Sequence, residues 1–251
     1  MAEATLITHR GGRDVLPDEL ERIPTPSATE TWFPIPHAQV LHAVEDTLAG
    51  DGFLIQKRRL SVAKDGSRFF GTLDLSNPIT HGVTLAVGIR NSTEKSFPIG
   101  FCCGTRVFVC DNLAFTSEIV VAKKHTRFGQ ERYLEGIARA VSSLDQYRES
   151  TARWIDQMKD WRLSSEAADS FILRSYEEEI IGARQLPLVL KEWRQPQFDE
   201  YLPRTAWSLF NAFTGVLGRT RESTHPAQAA LTTMRLRRLL APANDADLPT
   251  E

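Results

Sequence analysis

The amino-acid sequence predicts an α+β fold, in which an antiparallel sheet of two successive β-hairpins precedes a long helix and an all-helical C-terminal half. Two observations predict the sheet: Asp65-Gly66 separates two apolar runs, a strong hairpin signal, and a second pair of such runs follows. A third observation predicts the helices, because from about Gln130 the apolar residues recur every three or four positions. With 251 residues, 41% of them hydrophobic, the chain can bury a substantial core.

Composition divides the chain into four regions. Residues 1–31 are rich in Gly, Pro and acidic side chains with little periodicity, which predicts a flexible arm or an arm laid over the surface. Residues 32–126 form the predicted β-rich core, and residues 127–241 form a helical region packed on that core or extending from it. Residues 242–251 resemble the arm in composition and are predicted to be a disordered tail.

Each element of the β-rich core has a local pattern. A short helix is predicted from Pro36 to Ala49, because its valines and a leucine lie four apart and Gly50 follows as a stop. The apolar runs predict strands at Phe53–Ala63, Phe69–Leu75, Val83–Ile89 and Phe97–Cys110. Side chains alternate along a strand, so Arg106, Phe108 and Cys110 are expected on one face of the last one.

The helical region begins with an unusually long periodic segment. Apolar residues step by three or four from Gln130 to Arg162, which predicts a single helix about 45–50 Å long. Such a helix exceeds what a compact domain needs, so it is expected to project or to be covered by a partner, and a homo-oligomer is compatible with it. Further helices are predicted after a Ser164 or Ser165 cap up to Gly182, and at Leu188–Trp193, Thr205–Leu217 and Ala227–Leu240.

Several classes of protein are disfavoured by the sequence. It has no run of 18 apolar residues and no signal-peptide pattern, so we expect a cytoplasmic protein without a membrane span. Three cysteines in one short segment do not suggest a disulfide framework. Cys102 and Cys103 are adjacent, so they point to opposite faces of a strand and do not suggest a metal site. No phosphate-binding glycine motif is present, and no cofactor is expected.

The middle of the chain is basic although the net charge is −2. Residues 51–140 contain 13 basic and 8 acidic side chains, and the flanking regions are acidic. Basic side chains interleaved with aromatic ones on a sheet suit single-stranded nucleic acid, since cations contact phosphates and rings stack on bases. The candidate nucleic-acid-binding residues are Lys57, Arg58, Arg59, Arg68, Arg90, Arg106, Lys123, Lys124, His125 and Arg127. The structural alternative is that Phe69 and Phe70 are core and that the cations surround them.

Four polar motifs lie along the chain between residues 90 and 214. They are Arg90-Asn91-Ser92, the segment from Gly104 to Phe115 that includes Asp111-Asn112, Lys124-His125-Thr126, and the segment from Thr205 to Thr214 that includes Asn211. In this order they resemble the phage- and plasmid-like proteins of domain-of-unknown-function family 932. The resemblance implies a setting of mobile genetic elements, whose proteins commonly act in DNA replication or recombination or oppose host defence. It carries no assigned activity.

Three classes of function remain open at this point. The first is a non-enzymatic protein that binds nucleic acid, with single-stranded DNA preferred, and that acts in single-strand binding or annealing. The second is a protein-interaction module, such as an inhibitor of a host defence factor, with a host or phage protein as partner. The third is an enzyme acting on nucleotides or nucleic acid, with Asp111, His125 and Glu118 as its polar groups. Convergence of Asp111 and His125 in an open pocket would favour the enzyme.

Overall fold

Six antiparallel strands form one sheet in chain order in the computed structural model of the protein, which describes residues 12–107, 113–220 and 226–241. The strands are β1 (Arg13–Asp14), β2 (Ile55–Val62), β3 (Arg68–Thr80), β4 (Val83–Ser92), β5 (Ile99–Val107) and β6 (Leu113–Lys123). Helices follow the sheet, so the predicted α+β class is confirmed. Cys110, Asp111 and Asn112 lie outside the described residues.

The hairpin between β2 and β3 forms where the sequence predicts it. Gly66 has a φ of +71°, a left-handed conformation that glycine adopts readily, and the Asp65 carboxylate accepts a hydrogen bond from the Ser67 amide at 3.1 Å. Strand β6 is not among the predicted elements. Polar residues interrupt its apolar alternation, and its pairing with β5 shifts register between Cys102 and Gly104.

Eight α-helices lie in the described part of the chain. They are α1 (Pro17–Glu21), α2 (His37–Gly50), α3 (Gly129–Ser142), α4 (Leu144–Asp160), α5 (Ser165–Glu177), α6 (Leu186–Arg194), α7 (Ala206–Thr220) and α8 (Pro226–Leu239), with a 3₁₀ helix at Asp199–Tyr201. The helical segment predicted up to Arg162 is divided between α3 and α4. At this junction the hydroxyls of Ser142 and Ser143 both donate to the Arg139 carbonyl, a local bond that competes with helix continuation.

Part of the predicted N-terminal arm belongs to the folded core. Strand β1 pairs with β2 at the edge of the sheet, and α1 buries Leu20 to 1% exposure. Val15, between these two elements, is also buried. Residues 1–11 of the arm and the whole predicted tail, 242–251, lie outside the described residues.

The sheet has an apolar face and a polar face. Leu73, Val87 and Cys103 lie opposite one another on neighbouring strands and share the apolar face. Helix α2 reaches this face through the ring contact of His37 with Phe69, 5.6 Å between centroids. The opposite face includes Thr72, Asp74, Cys102 and Arg106, and it is buried as well. A buried polar face needs internal partners for its charges.

An aromatic cluster joins the helices of the C-terminal half. Trp154 of α4 lies edge-on to Trp207 and Phe210 of α7, with ring centroids 6.1 and 5.1 Å apart. Trp207, Phe210 and Phe213 are all buried, in agreement with their spacing of three along a helix. The Ser164 hydroxyl accepts a hydrogen bond from the Ala167 amide, which confirms the predicted cap of α5. No described helix is both long and apolar enough to cross a membrane.

Candidate functional site

Two of the predicted nucleic-acid-binding arginines lie in a buried ion-pair cluster on the polar face. The Asp74 carboxylate accepts from Arg59 Nη1 at 2.8 Å and from Arg106 Nε at 2.9 Å. Arg106 also lies 3.5 Å from the Thr72 hydroxyl. Since Arg106 is only 3% exposed, its guanidinium stabilises the sheet and is not presented to solvent. We call Arg59, Asp74 and Arg106 the Asp74 cluster.

Other predicted cations are also paired. Arg58 Nε donates a hydrogen bond to Glu45 at 2.7 Å, and Arg68 Nε forms an ion pair with the Glu94 carboxylate at 3.0 Å. Arg90 is 9% exposed, and burial lowers its pKa; its guanidinium lies 5.3 Å from the centroid of the Phe97 ring.

Phe69 is fully buried, whereas Phe70 is half-buried against Phe97 at 5.4 Å. Lys57 is exposed on β2, but β3, β4 and β5 separate β2 from β6, a distance of about 19 Å at ~4.8 Å per strand. Lys57 is therefore not part of the surface near β6.

The Arg90-Asn91-Ser92 motif connects the end of β4 to the start of α2 and to the turn after β4. Asn91 is fully buried, and its Nδ2 donates to the Ile35 carbonyl at 2.8 Å and to His37 Nδ1 at 2.9 Å. The Ser92 hydroxyl accepts from the amides of Glu94 and Ser96 and thereby shapes the turn after β4. Structural roles therefore account for Asn91 and Ser92, the two uncharged polar residues of this motif.

His37 is held neutral by its two hydrogen bonds. Because the Asn91 amide nitrogen can only donate, His37 Nδ1 accepts, so the ring proton lies on Nε2 and is donated to the Gly66 carbonyl at 2.9 Å. Burial lowers the pKa of His37, the Gly66 carbonyl partly offsets this, and nearby His125 lowers it further. The ring thus joins the start of α2 to the β2–β3 turn and to β4.

His125 anchors the segment that follows β6. It is 5% exposed, its carbonyl accepts from the Phe33 amide at 3.0 Å, and its ring lies edge-on to Trp32, with centroids 6.5 Å apart. Burial lowers the pKa of His125, and the Phe33 backbone partly offsets this. Neither ring nitrogen has a hydrogen-bond partner of good geometry among the described residues. His125 is therefore a buried anchor, and its side chain is not an exposed phosphate contact.

The residues from Lys123, the last residue of β6, to Phe128 are here called the basic loop, and they form a tight turn into α3. The Thr126 amide donates to the Lys124 carbonyl, and the Gly129 amide donates to the Thr126 carbonyl. A Cβ atom at Gly129 would lie 2.3 Å from the Lys124 carbonyl oxygen, so only glycine fits there without a shift of the loop. With His125 buried on the inner side, the loop has a defined conformation.

The outer side of the basic loop is basic and aromatic. Lys124 and Arg127 are exposed, Lys123 is half-buried, and Phe128 is 56% exposed. Lys95 from the β4–β5 turn adds a further cation, with its Nζ 5.0 Å from the centroid of the Trp32 ring. None of these lysines, nor Arg127, has a carboxylate partner in the part of the chain that the structure describes.

Of the three polar groups named for an enzyme, the structure describes only the side chain of His125. His125 is buried, Asp111 and Asn112 lie outside the described residues, and so does the side chain of Glu118. Burial raises the pKa of Cys102 to about 12, so this thiol stays protonated near neutral pH. Asn211 is buried in α7, where its Nδ2 donates to the Trp207 carbonyl of the preceding turn at 2.9 Å.

The comparison with protein families agrees with the pattern of motifs. The family described as "Domain of unknown function (DUF932)" matches residues 26–240. The chain belongs to this family. Neither the comparison with curated proteins nor the comparison with solved structures gave a match. Asn91, Lys124 and His125 lie within the matched region. The description of the family names no activity.

Proposed function

We propose that this DUF932 protein binds nucleic acid, with single strands preferred, through the outer side of the basic loop. The observation that carries the proposal is the set of cations around the loop, Lys95, Lys123, Lys124 and Arg127, without an acidic partner among the described residues. Elsewhere on the sheet, Arg58, Arg59, Arg68 and Arg106 have carboxylate partners.

Electrostatics favours phosphate as the ligand of this surface. Cations clustered within a Debye length of about 8–10 Å act together on an anionic ligand, even though the net charge of the chain is −2. A polyanion gains affinity by releasing condensed counterions when several cations replace them. The tight turn of the basic loop reduces the entropy lost when the ligand binds, because the loop is ordered beforehand.

The proposed biological setting comes from the family resemblance. Proteins of phages and plasmids commonly act in replication or recombination, so we extend the proposal to single-strand binding or annealing in a mobile element. A strand-annealing assay with complementary oligonucleotides tests this extension separately from binding.

Fluorescence anisotropy tests the binding itself. Labelled single-stranded and duplex DNA are titrated with the protein at about 50 and about 200 mM salt, the range over which phosphate-driven affinity falls steeply. The triple substitution Lys123→Ala, Lys124→Ala, Arg127→Ala should weaken binding and reduce the slope of log K against log salt by about 2, at ~0.7 per cation on a single strand.

Lys57→Ala is the matched control, because Lys57 is also an exposed cation of the sheet but lies away from the basic loop. It should leave affinity and salt slope unchanged. Absence of binding at the lower salt concentration would overturn the proposal, and a specific protein partner from a host lysate would then favour the interaction-module alternative. Equal losses for the triple variant and the control would also refute a role for the loop.

A further inference from the structure

Phe128 has surroundings that differ from those of every aromatic side chain in the buried cores. It is 56% exposed, whereas Phe69, Phe101 and Phe213 are at most 1% exposed. Exposure of a single apolar side chain is ordinary on a protein surface. Phe128 is unusual because it lies in the basic loop, next to the exposed cations Lys124 and Arg127.

The position of Phe128 in the chain has no evident benefit for folding. It is the N-cap of α3, a position that favours Ser, Thr, Asp or Asn, and its side chain makes no capping hydrogen bond. The backbone explains the turn without it, because the Phe128 carbonyl accepts from the Arg132 amide and Gly129 provides the close approach. A polar residue would serve this position at least as well.

The geometry points to Phe128 as a stacking platform for an unpaired nucleobase, with Arg127 and Lys124 contacting the flanking phosphates. This inference rests on the proposed nucleic-acid binding and assigns its preference for single strands to one side chain. The Arg127 guanidinium lies 6.0 Å from the centroid of the Phe128 ring, the outer range of a cation–π contact, so the ring and its nearest cation form one unit.

Stacking explains selectivity in a way that charge does not. Duplex and single-stranded DNA both offer phosphates, but only the single strand exposes a base face to an aromatic ring. One stacked base increases affinity by about 5-fold to 150-fold. The cations of the basic loop therefore determine affinity for any nucleic acid, and Phe128 determines the preference for unpaired bases.

An abasic oligonucleotide separates these two contributions. Three probes of equal length are compared by anisotropy at about 50 mM salt: a single strand, the same strand with abasic central nucleotides, and a duplex. The wild-type protein should bind the complete strand at least about 5-fold more tightly than the abasic strand. Phe128→Ala should remove this difference while leaving affinity for the abasic strand and the duplex unchanged.

Conservative and matched variants complete the test. Phe128→Trp and Phe128→Tyr should restore the preference, because both rings stack, and Phe128→Leu should not. Leu173→Ala, which removes a side chain of similar exposure (52%) on α5, should have no effect. Urea unfolding should show a midpoint for Phe128→Ala close to that of the wild type.

Three results would overturn the inference, and only the last of them also overturns the proposed function. Salt-sensitive binding of the wild type with equal affinity for the complete and abasic strands would refute stacking and leave nucleic-acid binding intact. A Phe128→Ala variant that weakens all three probes equally would assign Phe128 to the shape of the loop. If the wild-type protein binds none of the probes, both this inference and the proposed function are wrong.

Discussion

The Asp74 cluster and the basic loop both contain arginine, but its surroundings differ between them. Arg59 and Arg106 share the buried carboxylate of Asp74, whereas Lys124 and Arg127 are exposed without an acidic partner among the described residues. A buried guanidinium without a counter-charge would cost several kcal/mol, so the sheet arginines need partners for the chain to fold. Exposed lysines have no such requirement. The surroundings of a cation, more than its type, separate those that stabilise the fold from those available to a ligand.

Removing Asp74 should have the largest effect on stability. Asp74→Ala leaves two guanidinium groups of the polar face without their shared carboxylate, so we expect a loss of about 3 kcal/mol or more in the free energy of unfolding. Urea unfolding followed by circular dichroism measures this loss. The folded fraction should bind nucleic acid with unchanged affinity. A loss below about 1 kcal/mol would show that the Asp74 cluster is not needed for the fold.

Substitution of Gly129 should affect both stability and binding. The Cβ atom of Gly129→Ala would lie 2.3 Å from the Lys124 carbonyl oxygen, so the basic loop must shift, at a cost of about 1–3 kcal/mol. Displaced cations should also weaken nucleic-acid binding in the anisotropy assay. Gly218→Ala is the control, because no atom lies within 4 Å of its Cβ position in α7. It should stabilise the helix by about 0.5–1 kcal/mol, and similar behaviour of the two variants would contradict the geometry.

Acid should destabilise the region that anchors the basic loop. Burial lowers the pKa of His37 and of His125, so below the ordinary value of 6.5 the unfolded chain takes up protons before the folded one does. The stability that these histidines contribute is present above pH 6.5 and is lost as the pH falls toward their folded pKa values. The free energy of unfolding should decline by up to about 1.4 kcal/mol per pH unit for each histidine.

Urea unfolding between about pH 7.5 and about pH 5.5 measures this dependence, above the range in which most carboxylates titrate. His37→Gln and His125→Gln should each make the dependence shallower, and the double variant should be nearly flat if it folds. A wild-type protein of constant stability over this range would show that the two rings are not neutral and buried as described.

The smallest effect is expected for an exposed pair. Arg58 bonds to Glu45 at 2.7 Å, but its side chain is 43% exposed, so Arg58→Ala should reduce stability by at most about 1 kcal/mol. The anisotropy assay should show unchanged DNA affinity, because β2 is distant from the basic loop. A marked loss of affinity would mean that cations with carboxylate partners also take part in binding. The contrast between these cations and those of the basic loop would then be wrong.

Local signals are sufficient to predict much of the fold. The Asp65-Gly66 turn, the apolar face of α2 and the Ser164 cap each depend on residues close together in sequence. The break between α3 and α4 is not predicted. It coincides with serine hydroxyls that bond to the Arg139 carbonyl, and these serines do not interrupt the spacing of the apolar residues. Strand β6 is not predicted for a different reason: its apolar alternation is irregular, and its strand character depends on pairing with β5.

The candidate site shows the same limit more sharply. The sequence does not tell which of the ten predicted nucleic-acid-binding residues form ion pairs. Arg106 and Asp74, for example, are 32 positions apart and meet only across the strands of the sheet. Phe128 gives no periodic signal, so nothing in the sequence distinguishes it from a core phenylalanine. A basic cluster leading into a helix is the one feature of the sequence that points to the basic loop.

The α+β class, the order of most elements and membership in the DUF932 family follow from the amino-acid sequence alone, because these depend on local periodicity, turn residues and linear motifs. Which polar residues are buried depends on the three-dimensional packing. It brought Asn91 into hydrogen-bonding contact with His37 and His37 close to His125, and it gave Arg59 and Arg106 their shared carboxylate. Lys124, Arg127 and Phe128 lie on the surface. The reason is physical: charge pairing and exposure depend on contacts between distant segments, which no local pattern specifies.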